Sequence, residues 1–267
     1  MQQLFPVNSN SQIEPYNLYG VPDLDFPSEG VALKHGERRP YIYFNLVSSV
    51  DGKITTQTDN AEGLGTRTDR TVMRRLRLAS DAVLVGASTF RRDPIVPDTR
   101  PEFVTERHRY FPDAPHPLGM VLSSQGDLPL DNKFFQAPSS RRIVWLGPQA
   151  TLETEQKLSA HARVLRLAED TAQKPDLRQL LVRAYQELGI RRLLVEGGPT
   201  LNYSFIAQGW ADELFWTLAP KIVGGSQNPS LVEGPGKGFD LTDLKKLQLV
   251  SIYAEASELF MRYKFKQ

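Results

Sequence analysis

The chain has 267 residues, with 32 lysines and arginines against 31 aspartates and glutamates, and it contains no cysteine. The nearly neutral balance gives no electrostatic footprint for nucleic acid or for an anionic membrane surface. The absence of cysteine excludes a disulfide framework, a thiolate nucleophile, iron–sulfur clusters and thiolate zinc sites, and the four histidines do not stand at metal-ligand spacing, so we expect no metal centre.

The beginning of the chain differs in character from the rest. Residues 1–39 are polar, contain several prolines and lack sustained periodicity, which predicts an irregular N-terminal extension followed by one compact domain over residues 40–267. No basic and apolar leader pattern is present, and no stretch is long enough to cross a bilayer. We therefore expect a cytoplasmic, soluble protein that binds neither membranes nor nucleic acid.

From residue 40 onward, short apolar runs alternate with helical patterns. The runs cover residues 41–49, 81–86, 119–123, 141–147 and 191–195. This alternation predicts an α/β domain with a largely parallel sheet. Three later segments, at 212–225, 244–256 and 257–267, alternate polar and apolar residues and predict strands that join the sheet in antiparallel fashion, so the sheet should be mixed.

Two helices are predicted between these runs. The first is capped by Thr68 and carries Val72, Leu76 and Ala79 on one apolar face. The second begins near Asp176, ends before Gly189 and has four apolar residues in register, namely Leu177, Leu181, Ala184 and Leu188. We expect these apolar residues to be core.

The junction at residues 191–205, RRLLVEGGPTLNYSF, carries the clearest chemical signal. An apolar strand ends at Glu196, a glycine pair follows, and Pro199 opens a helical segment. Unpaired amides at a helix N-terminus attract phosphate, and glycine allows a close approach of the backbone to a ligand. The junction therefore predicts a phosphate site, with an ordinary tight strand-to-helix turn as the alternative.

Three further clusters contain residues that could bind or act on a ligand. Asp51, Gly52 and Lys53 follow a strong strand, where the Asp-Gly pair could equally form a hairpin turn. The strand at 81–86 runs into small and hydroxylated residues that could approach a ligand. Four arginines between residues 70 and 77, with Arg100 further on, form either a solvated helix face or a bidentate grip on a substrate phosphate.

Taken in order, three segments resemble the reductase domain of riboflavin biosynthesis, the C-terminal half of the bifunctional pyrimidine deaminase–reductase. They are SSVDGKI at 48–54, LRLASDAVLVGASTFRRDP at 76–94 and the long segment from LLVEGGPT to KIVGG at 193–225. The resemblance implies a dihydrofolate-reductase-like, three-layer α/β/α fold with a mixed, mostly parallel sheet and antiparallel C-terminal strands. It also implies a homodimer and the NADPH-dependent reduction of a 5-amino-6-(5-phosphoribosylamino)pyrimidine, in its uracil or 2-amino-pyrimidinone form, to the ribitylamino product.

The same resemblance implies roles for individual residues. Glu196 would contact the pyrimidine, Arg77 and Arg100 the substrate phosphate, while Asp51 and Lys53 would assist opening of the sugar ring or proton delivery. The residues implied at the NADPH site are Gly86, Thr89, Asp93, Ser124, Gly197, Gly198, Pro199, Thr200, Leu201, Asn202 and Ser204.

The chain departs from the family pattern at residues 62–66, EGLGT, where the family often has an aromatic residue in a serine-tryptophan-isoleucine-threonine motif. This departure keeps two alternatives open. One is an NADPH-dependent reductase of another heterocycle, such as a pterin or dihydrofolate. The other is a nucleotide-binding regulatory protein that keeps the fold without turnover.

Overall fold

The computed structural model describes residues 1–6, 12–56, 63–93, 95–236 and 238–266. The strands are β1 (Gln2–Phe5), β2 (Val31–Ala32), β3 (Arg38–Arg39), β4 (Tyr41–Ser49), β5 (Ala82–Gly86), β6 (Leu118–Ser123), β7 (Arg142–Leu146), β8 (Arg163–Arg166), β9 (Arg192–Val195), β10 (Glu213–Ala219), β11 (Leu247–Glu255) and β12 (Glu258–Phe265). The α-helices are α1 (Arg67–Leu78), α2 (Ala87–Arg92), α3 (Val104–Tyr110), α4 (Leu152–Ser159), α5 (Leu177–Leu188) and α6 (Pro199–Ala207). Over these ranges, none of the helices has the length and apolar character that a membrane span requires.

Two compact units make up the chain. The first contains Met1–Leu24, Ile42–Leu76 and Val195–Gln267, and the second contains Asp25–Tyr41 and Arg77–Leu194. In the first unit the strand order is β1-β11-β12-β10-β4. β10 pairs with β12 in antiparallel fashion, as does β11 with both β12 and β1. The predicted mixed sheet with antiparallel C-terminal strands is therefore confirmed.

One part of that prediction is wrong, because β10 lies parallel to β4, from the pair Glu213 and Tyr43 to the pair Ala219 and Ser49. Alternation of polar and apolar residues reports which face of a strand is buried and does not report the direction of the neighbouring strand. The helix α6 lies between β9 and β10 and can serve as a crossover connection. Such a connection allows β10 to run parallel to its neighbour β4.

In the second unit the strand order is β9-β5-β6-β7-β8. The neighbouring pairs β5–β6, β6–β7 and β7–β8 are all parallel. The four strands that the sequence predicts in this unit, β5, β6, β7 and β9, agree with the observed bounds to within one residue at each end. β8 was not predicted, since its four residues are half charged and carry no apolar run.

The predicted helices exist, but the first is capped differently. The hydroxyl of Thr66, not that of Thr68, accepts the amide of residue 68 at 3.1 Å, so the predicted cap at Thr68 is wrong. A cap must precede the first helical residue, and α1 already begins at Arg67. The second helix agrees with the prediction: Asp176 accepts the amide of Gln179 at 3.0 Å, and Gly189 ends α5 in the left-handed region.

The N-terminal stretch that the sequence predicts to be irregular contains β1, which pairs with β11 in the first unit. Leu18 and Leu24 of this stretch are buried, at 2% and 0% exposure. The guanidinium of Arg262 donates to the carbonyl of Leu24 at 2.6 Å. The segment Met1–Leu24, which belongs to the first unit, therefore contributes core residues to it.

Candidate active site

The end of β4 forms a tight turn that presents Asp51 and Lys53. The Ser49 amide donates to the Lys53 carbonyl at 2.9 Å, and the Gly52 amide donates to the Ser49 carbonyl at 3.0 Å. Gly52 has a φ of +78°, which a glycine adopts without steric cost. The Asp-Gly pair thus forms a turn, and that turn brings the two predicted catalytic residues to one exposed corner.

Both side chains at this corner hold the segment that joins β10 to β11, residues 220–246, which we call the β10–β11 connection. The Asp51 carboxylate accepts the amides of Val223 and Gly224 at 3.1 and 2.7 Å. The Lys53 ammonium donates to the Asn228 carbonyl at 2.8 Å. The hydroxyl of Ser49 hydrogen-bonds Asp51, and this bond, with those from the two amides, lowers the pKa of Asp51 to about 2. Asp51 is therefore a carboxylate at every physiological pH.

Glu196 directly follows β9, and two buried glycines separate it from α6. Gly197 has a φ of +95°, a conformation that a side chain would oppose. Gly198 is the N-cap of α6 and carries no side chain that could cap the first turn of that helix. Pro199 is the first helical residue, as the sequence predicts. The N-cap residue of α6 therefore supplies no side-chain acceptor of the kind that commonly satisfies helix N-terminal amides.

Within α6, the predicted cofactor residues differ in exposure. Thr200 is exposed, whereas Leu201 and Asn202 are buried, at 8% and 1% exposure. The hydroxyl of Ser204 already donates to the Thr200 carbonyl at 2.9 Å. Leu201 and Asn202 can therefore meet a ligand only through their backbone, since their side chains face the interior.

The β10–β11 connection also reaches α6. The Asn202 amide group donates to the Leu231 carbonyl at 2.8 Å, while its buried carbonyl oxygen has no partner among the described residues. The rings of Tyr203 and Phe239 stack with centroids 5.0 Å apart and an angle of 17°. Lys237, part of the glycine-rich stretch in this connection, lies outside the described residues. One connection thus fixes both the Asp51–Lys53 corner and the first turns of α6.

Asp69, which the sequence analysis did not single out, belongs to a cluster of carboxyl groups in the first unit. It lies in the first turn of α1 and hydrogen-bonds the side chain of Thr217 in β10. Burial raises the pKa of Asp69 to about 6, to which the charges of Glu258 and Glu196 contribute. The only sequence signal was an acidic residue in a first helical turn, which is common for reasons of the helix dipole alone.

The predicted cofactor residues of the second unit follow two strands. Gly86 ends β5 and is the N-cap of α2, which contains Thr89. Asp93 ends that helix, with its amide donating to the Thr89 carbonyl at 2.8 Å. Ser124 follows β6, and Gly147 packs so closely that an added Cβ would lie 2.7 Å from the Cα of Ser124. Pro94, the last residue of the segment at 76–94 that resembles the family, lies outside the described residues.

The two predicted phosphate ligands are linked through one loop. Arg77 is the penultimate residue of α1, and its guanidinium donates to the Val96 carbonyl at 3.2 Å. Asp98 in the same loop accepts from Arg142 at 3.0 Å. Arg100 ends this loop with an exposed side chain, before the short helix at 101–103. Arg77 therefore helps to position the loop that carries Arg100.

Comparison with known families decides the classification. The model of the RibD C-terminal domain matches residues 40–260. The chain belongs to this family. Among the relatives of the RibD C-terminal domain, the 2,5-diamino-6-ribosylamino-4(3H)-pyrimidinone 5′-phosphate reductase of Methanothermobacter thermautotrophicus is 32% identical over 230 residues, which cover 85% of this chain and 99% of that protein. The reductase of the same name from Archaeoglobus fulgidus is 30% identical over 196 residues, which cover 73% of this chain and 87% of that protein.

Solved structures of RibD relatives share the fold. A pyrimidine reductase-like protein from Corynebacterium diphtheriae superposes with a TM-score of 0.71 at 21% identity, covering 85% of this chain and 92% of that protein. RibD from Acinetobacter baumannii superposes with a TM-score of 0.69 at 20% identity, covering 86% of this chain but 59% of that longer protein. The predicted α/β class and family are therefore confirmed.

Proposed function

We propose that this chain is a reductase of riboflavin biosynthesis that converts a phosphoribosylamino-pyrimidine to its ribitylamino product with NADPH. The observation that carries the proposal is the similarity to the Methanothermobacter reductase, which extends over nearly all of that protein. The names of this relative and of the Archaeoglobus protein favour the 2,5-diamino-pyrimidinone form of the substrate over the deaminated uracil form.

The residues after β9 fit the diphosphate of NADPH. The N-cap of α6 is Gly198, which has no side chain to cap the helix amides or to block the approach of an anion. The macrodipole of α6 adds an attraction for negative charge at this end. We therefore assign Gly197, Gly198, Pro199 and Thr200 to the diphosphate. Leu201 and Asn202 contribute backbone only, and Ser204 contributes a hydroxyl.

A second group of residues is assigned to the rest of the cofactor. Gly86, Thr89 and Asp93 belong to the β5–α2 junction, and Ser124 follows the neighbouring strand β6. In open α/β sheets, ligands bind beyond the carboxyl ends of the strands, which is where these four residues occur.

NADPH, when bound, supplies the hydride for C1 of the ribose. Lys53 is the proton donor that we assign to opening of the sugar ring, because its ammonium is held at the exposed β4 corner. Asp51 acts beside it as a permanent anion, since its lowered pKa disfavours any protonated form. Proton delivery is thereby assigned to Lys53, and Asp51 fixes the turn and the β10–β11 connection.

Glu196, Arg77 and Arg100 complete the substrate contacts that we propose. The Glu196 carboxylate can accept from the amino groups of the pyrimidine. Arg77 and Arg100 bind the phosphate, since guanidinium groups match phosphate oxygens in bidentate fashion. One nitrogen of the Arg77 guanidinium donates to the Val96 carbonyl at 3.2 Å.

The test is to mix the purified full chain with NADPH and the 2,5-diamino-pyrimidinone phosphate and to follow the reduced-nicotinamide absorbance. We expect oxidation of NADPH with this substrate, slower oxidation with the uracil form and none with dihydrofolate. Turnover of dihydrofolate in preference to both pyrimidines would refute the proposal. Tight NADPH binding without oxidation by any of the three would instead identify a regulatory protein.

We also propose a homodimer and a cytoplasmic location, both of which accord with the family resemblance. Sedimentation velocity of the purified chain measures the first, and a sedimentation coefficient of a monomer at micromolar concentration would refute it. Fractionation of the native cells measures the second.

A further inference from the structure

One of the four histidines, His116, lies against the loop that carries Arg100. We call residues 95–100 the Arg100 loop. The amide of Thr99, directly before Arg100, donates to Nδ1 of His116 at 3.1 Å. The carbonyl of Arg100 accepts the amide of Phe103 at 2.9 Å. Hydrogen bonds therefore fix the backbone on both sides of Arg100, while its side chain is exposed to a ligand.

The backbone that presents the His116 imidazole is stiff. Pro115 precedes His116 and Pro117 follows it. Proline fixes its own φ and restricts the residue before it to extended conformations, so the backbone at His116 has little freedom. The strand β6 begins directly after Pro117, at Leu118. The hydrogen bond to Nδ1 therefore ties the Arg100 loop to the start of a strand of the sheet.

Arginine side chains hold the rest of the Arg100 loop. Asp98 accepts from Arg141 at 2.9 Å and from Arg142 at 3.0 Å, and the side chain of Arg142 is fully buried. The Val96 carbonyl accepts from Arg77 at 3.2 Å. All of these residues belong to the second unit. These contacts fix the middle of the loop, and His116 holds the residue adjacent to Arg100.

We propose that His116 is a positioning residue for substrate binding, and that its Nδ1, by holding the Thr99 amide, places the Arg100 guanidinium where it meets the phosphate of the substrate. This inference rests on the proposed function, because it takes Arg100 as a contact of the substrate phosphate. It adds a residue outside the set that the family resemblance implies.

The hydrogen bond from Thr99 requires a neutral imidazole. An amide can donate to Nδ1 only while that nitrogen carries no proton, so the proton of neutral His116 lies on Nε2. Burial lowers the pKa of His116 below its ordinary value of 6.5. Four charged groups also act on this pKa, namely Arg141, Asp98, Arg107 and Arg142. The three arginines lower the pKa and the aspartate raises it, so His116 is a neutral acceptor at pH 7.5.

Protonation of His116 in acid would convert Nδ1 from an acceptor into a donor. Two donors, the protonated Nδ1 and the Thr99 amide, would then face each other, and the hydrogen bond would be lost. The end of the loop next to Arg100 would be released from the start of β6. We therefore expect binding of the substrate phosphate to weaken in acid for this reason.

The experiment measures, by calorimetry at pH 7.5, the Kd of the full chain for the pyrimidine phosphate alone and for NADPH alone. The variants are His116→Ala and His116→Asn. The amide oxygen of asparagine stands the same number of bonds from the backbone as Nδ1, so His116→Asn keeps an acceptor for the Thr99 amide.

In His116→Ala, we expect the Kd for the pyrimidine phosphate to rise about fivefold, a factor that corresponds to the net contribution of one hydrogen bond. The Kd for NADPH should change by less than about twofold, and His116→Asn should restore the Kd for the pyrimidine phosphate to within about twofold of wild type. His108→Ala is the matched control, since it removes an exposed imidazole from α3 and should leave both Kd values unchanged.

A series from pH 7.5 to 4.5 tests the protonation of His116. The phosphate of the substrate titrates near pH 6, roughly as other phosphate monoesters do, and it does so with every variant. The ratio of the wild-type Kd to that of His116→Asn removes this common effect. The ratio should rise as pH falls, because the imidazole loses its acceptor and the asparagine does not.

Four results would overturn the proposal. They are an unchanged Kd for the pyrimidine phosphate in His116→Ala, equal increases of both Kd values, no restoration in His116→Asn, and a ratio that stays constant down to pH 4.5. Should His116→Ala fail to fold, the comparison of wild type with His116→Asn across pH decides the question.

The proposed function is tested separately by turnover of wild type with NADPH. A wild type that shows the expected dependence of binding on His116 but oxidises no NADPH would refute the reductase and leave the role of His116 in place. A wild type that turns over while His116→Ala binds the pyrimidine phosphate normally would refute only the role of His116. The two failures are therefore distinguishable.

Discussion

Replacement of Asp69 by asparagine should stabilise this protein at neutral pH. Burial raises the pKa of Asp69 from 3.8 to about 6, so ionisation of this carboxyl group at neutral pH lowers the free energy of unfolding. Asparagine keeps the size of the side chain and can still hydrogen-bond the Thr217 hydroxyl. Asparagine carries no charge at any pH, so the variant does not lose stability by burying a charged group.

The sign and the size follow from proton linkage. Between pH 3.8 and about 6 the folded state binds more protons at Asp69 than the unfolded state, so the stability of wild type falls as pH rises through this window. The difference between the two pKa values corresponds to roughly 3 kcal/mol at pH 7. Asp69 is partly exposed, and solvent screening reduces the expected gain to between about 1 and 3 kcal/mol.

The assay is urea unfolding of wild type and Asp69→Asn at several pH values from 4 to 8, followed by tryptophan fluorescence. The stability of the variant relative to wild type should increase from pH 4 to pH 7 and stay constant above. Asp243→Asn, which changes an exposed carboxylate, should show no such trend. A difference in the free energy of unfolding between Asp69→Asn and wild type that is independent of pH would refute the reasoning. It would mean that Asp69 has the same pKa in the folded and the unfolded chain.

Three other substitutions give separate tests. Arg77→Ala should raise the KM for the pyrimidine phosphate far more than that for NADPH in steady-state kinetics, and equal effects on both would remove the assignment of Arg77 to the phosphate. Asp51→Asn should lower kcat by the same factor at every pH from 5 to 8.5, since the pKa of Asp51 is about 2 and the wild-type residue is a carboxylate throughout this range, and a ratio of wild-type to variant kcat that changes with pH in this range would contradict the assignment. Gly65→Ala should lower the free energy of unfolding by about 1–3 kcal/mol in urea melts, because the new methyl group meets the Asp69 carboxyl, and an unchanged midpoint would show that the loop yields without cost.

The sequence predicted the core of the fold well because buried parallel strands leave a strong local signal. The apolar runs at 41–49, 81–86, 119–123, 141–147 and 191–195 agree with β4, β5, β6, β7 and β9 to within one residue at each end. The cap at Asp176 and the left-handed Gly189 at the ends of α5 were equally predictable, since capping depends on a few adjacent residues.

Local patterns failed where the answer depended on a partner distant in sequence. The parallel pairing of β10 with β4 brings together residues about 170 positions apart, and the polar alternation of β10 carries no information on direction. The cap of α1 also depended on its surroundings: Thr66 and Thr68 look alike in sequence, but Thr66 is held by Glu258, 192 residues away.

The candidate site divides in the same way. The amino-acid sequence by itself determined the family, the glycine pair that opens α6 and the charged turn after β4, because each is a short contiguous motif whose chemistry depends on adjacent residues. Only the tertiary structure decided that Asp51 is a fixed anion, that the side chains of Leu201 and Asn202 face the interior, and that Asp69 lies among Thr217, Glu258 and Glu196. The physical reason is that the pKa and exposure of a side chain depend on the groups that surround it in space, and folding brings those groups from remote parts of the chain.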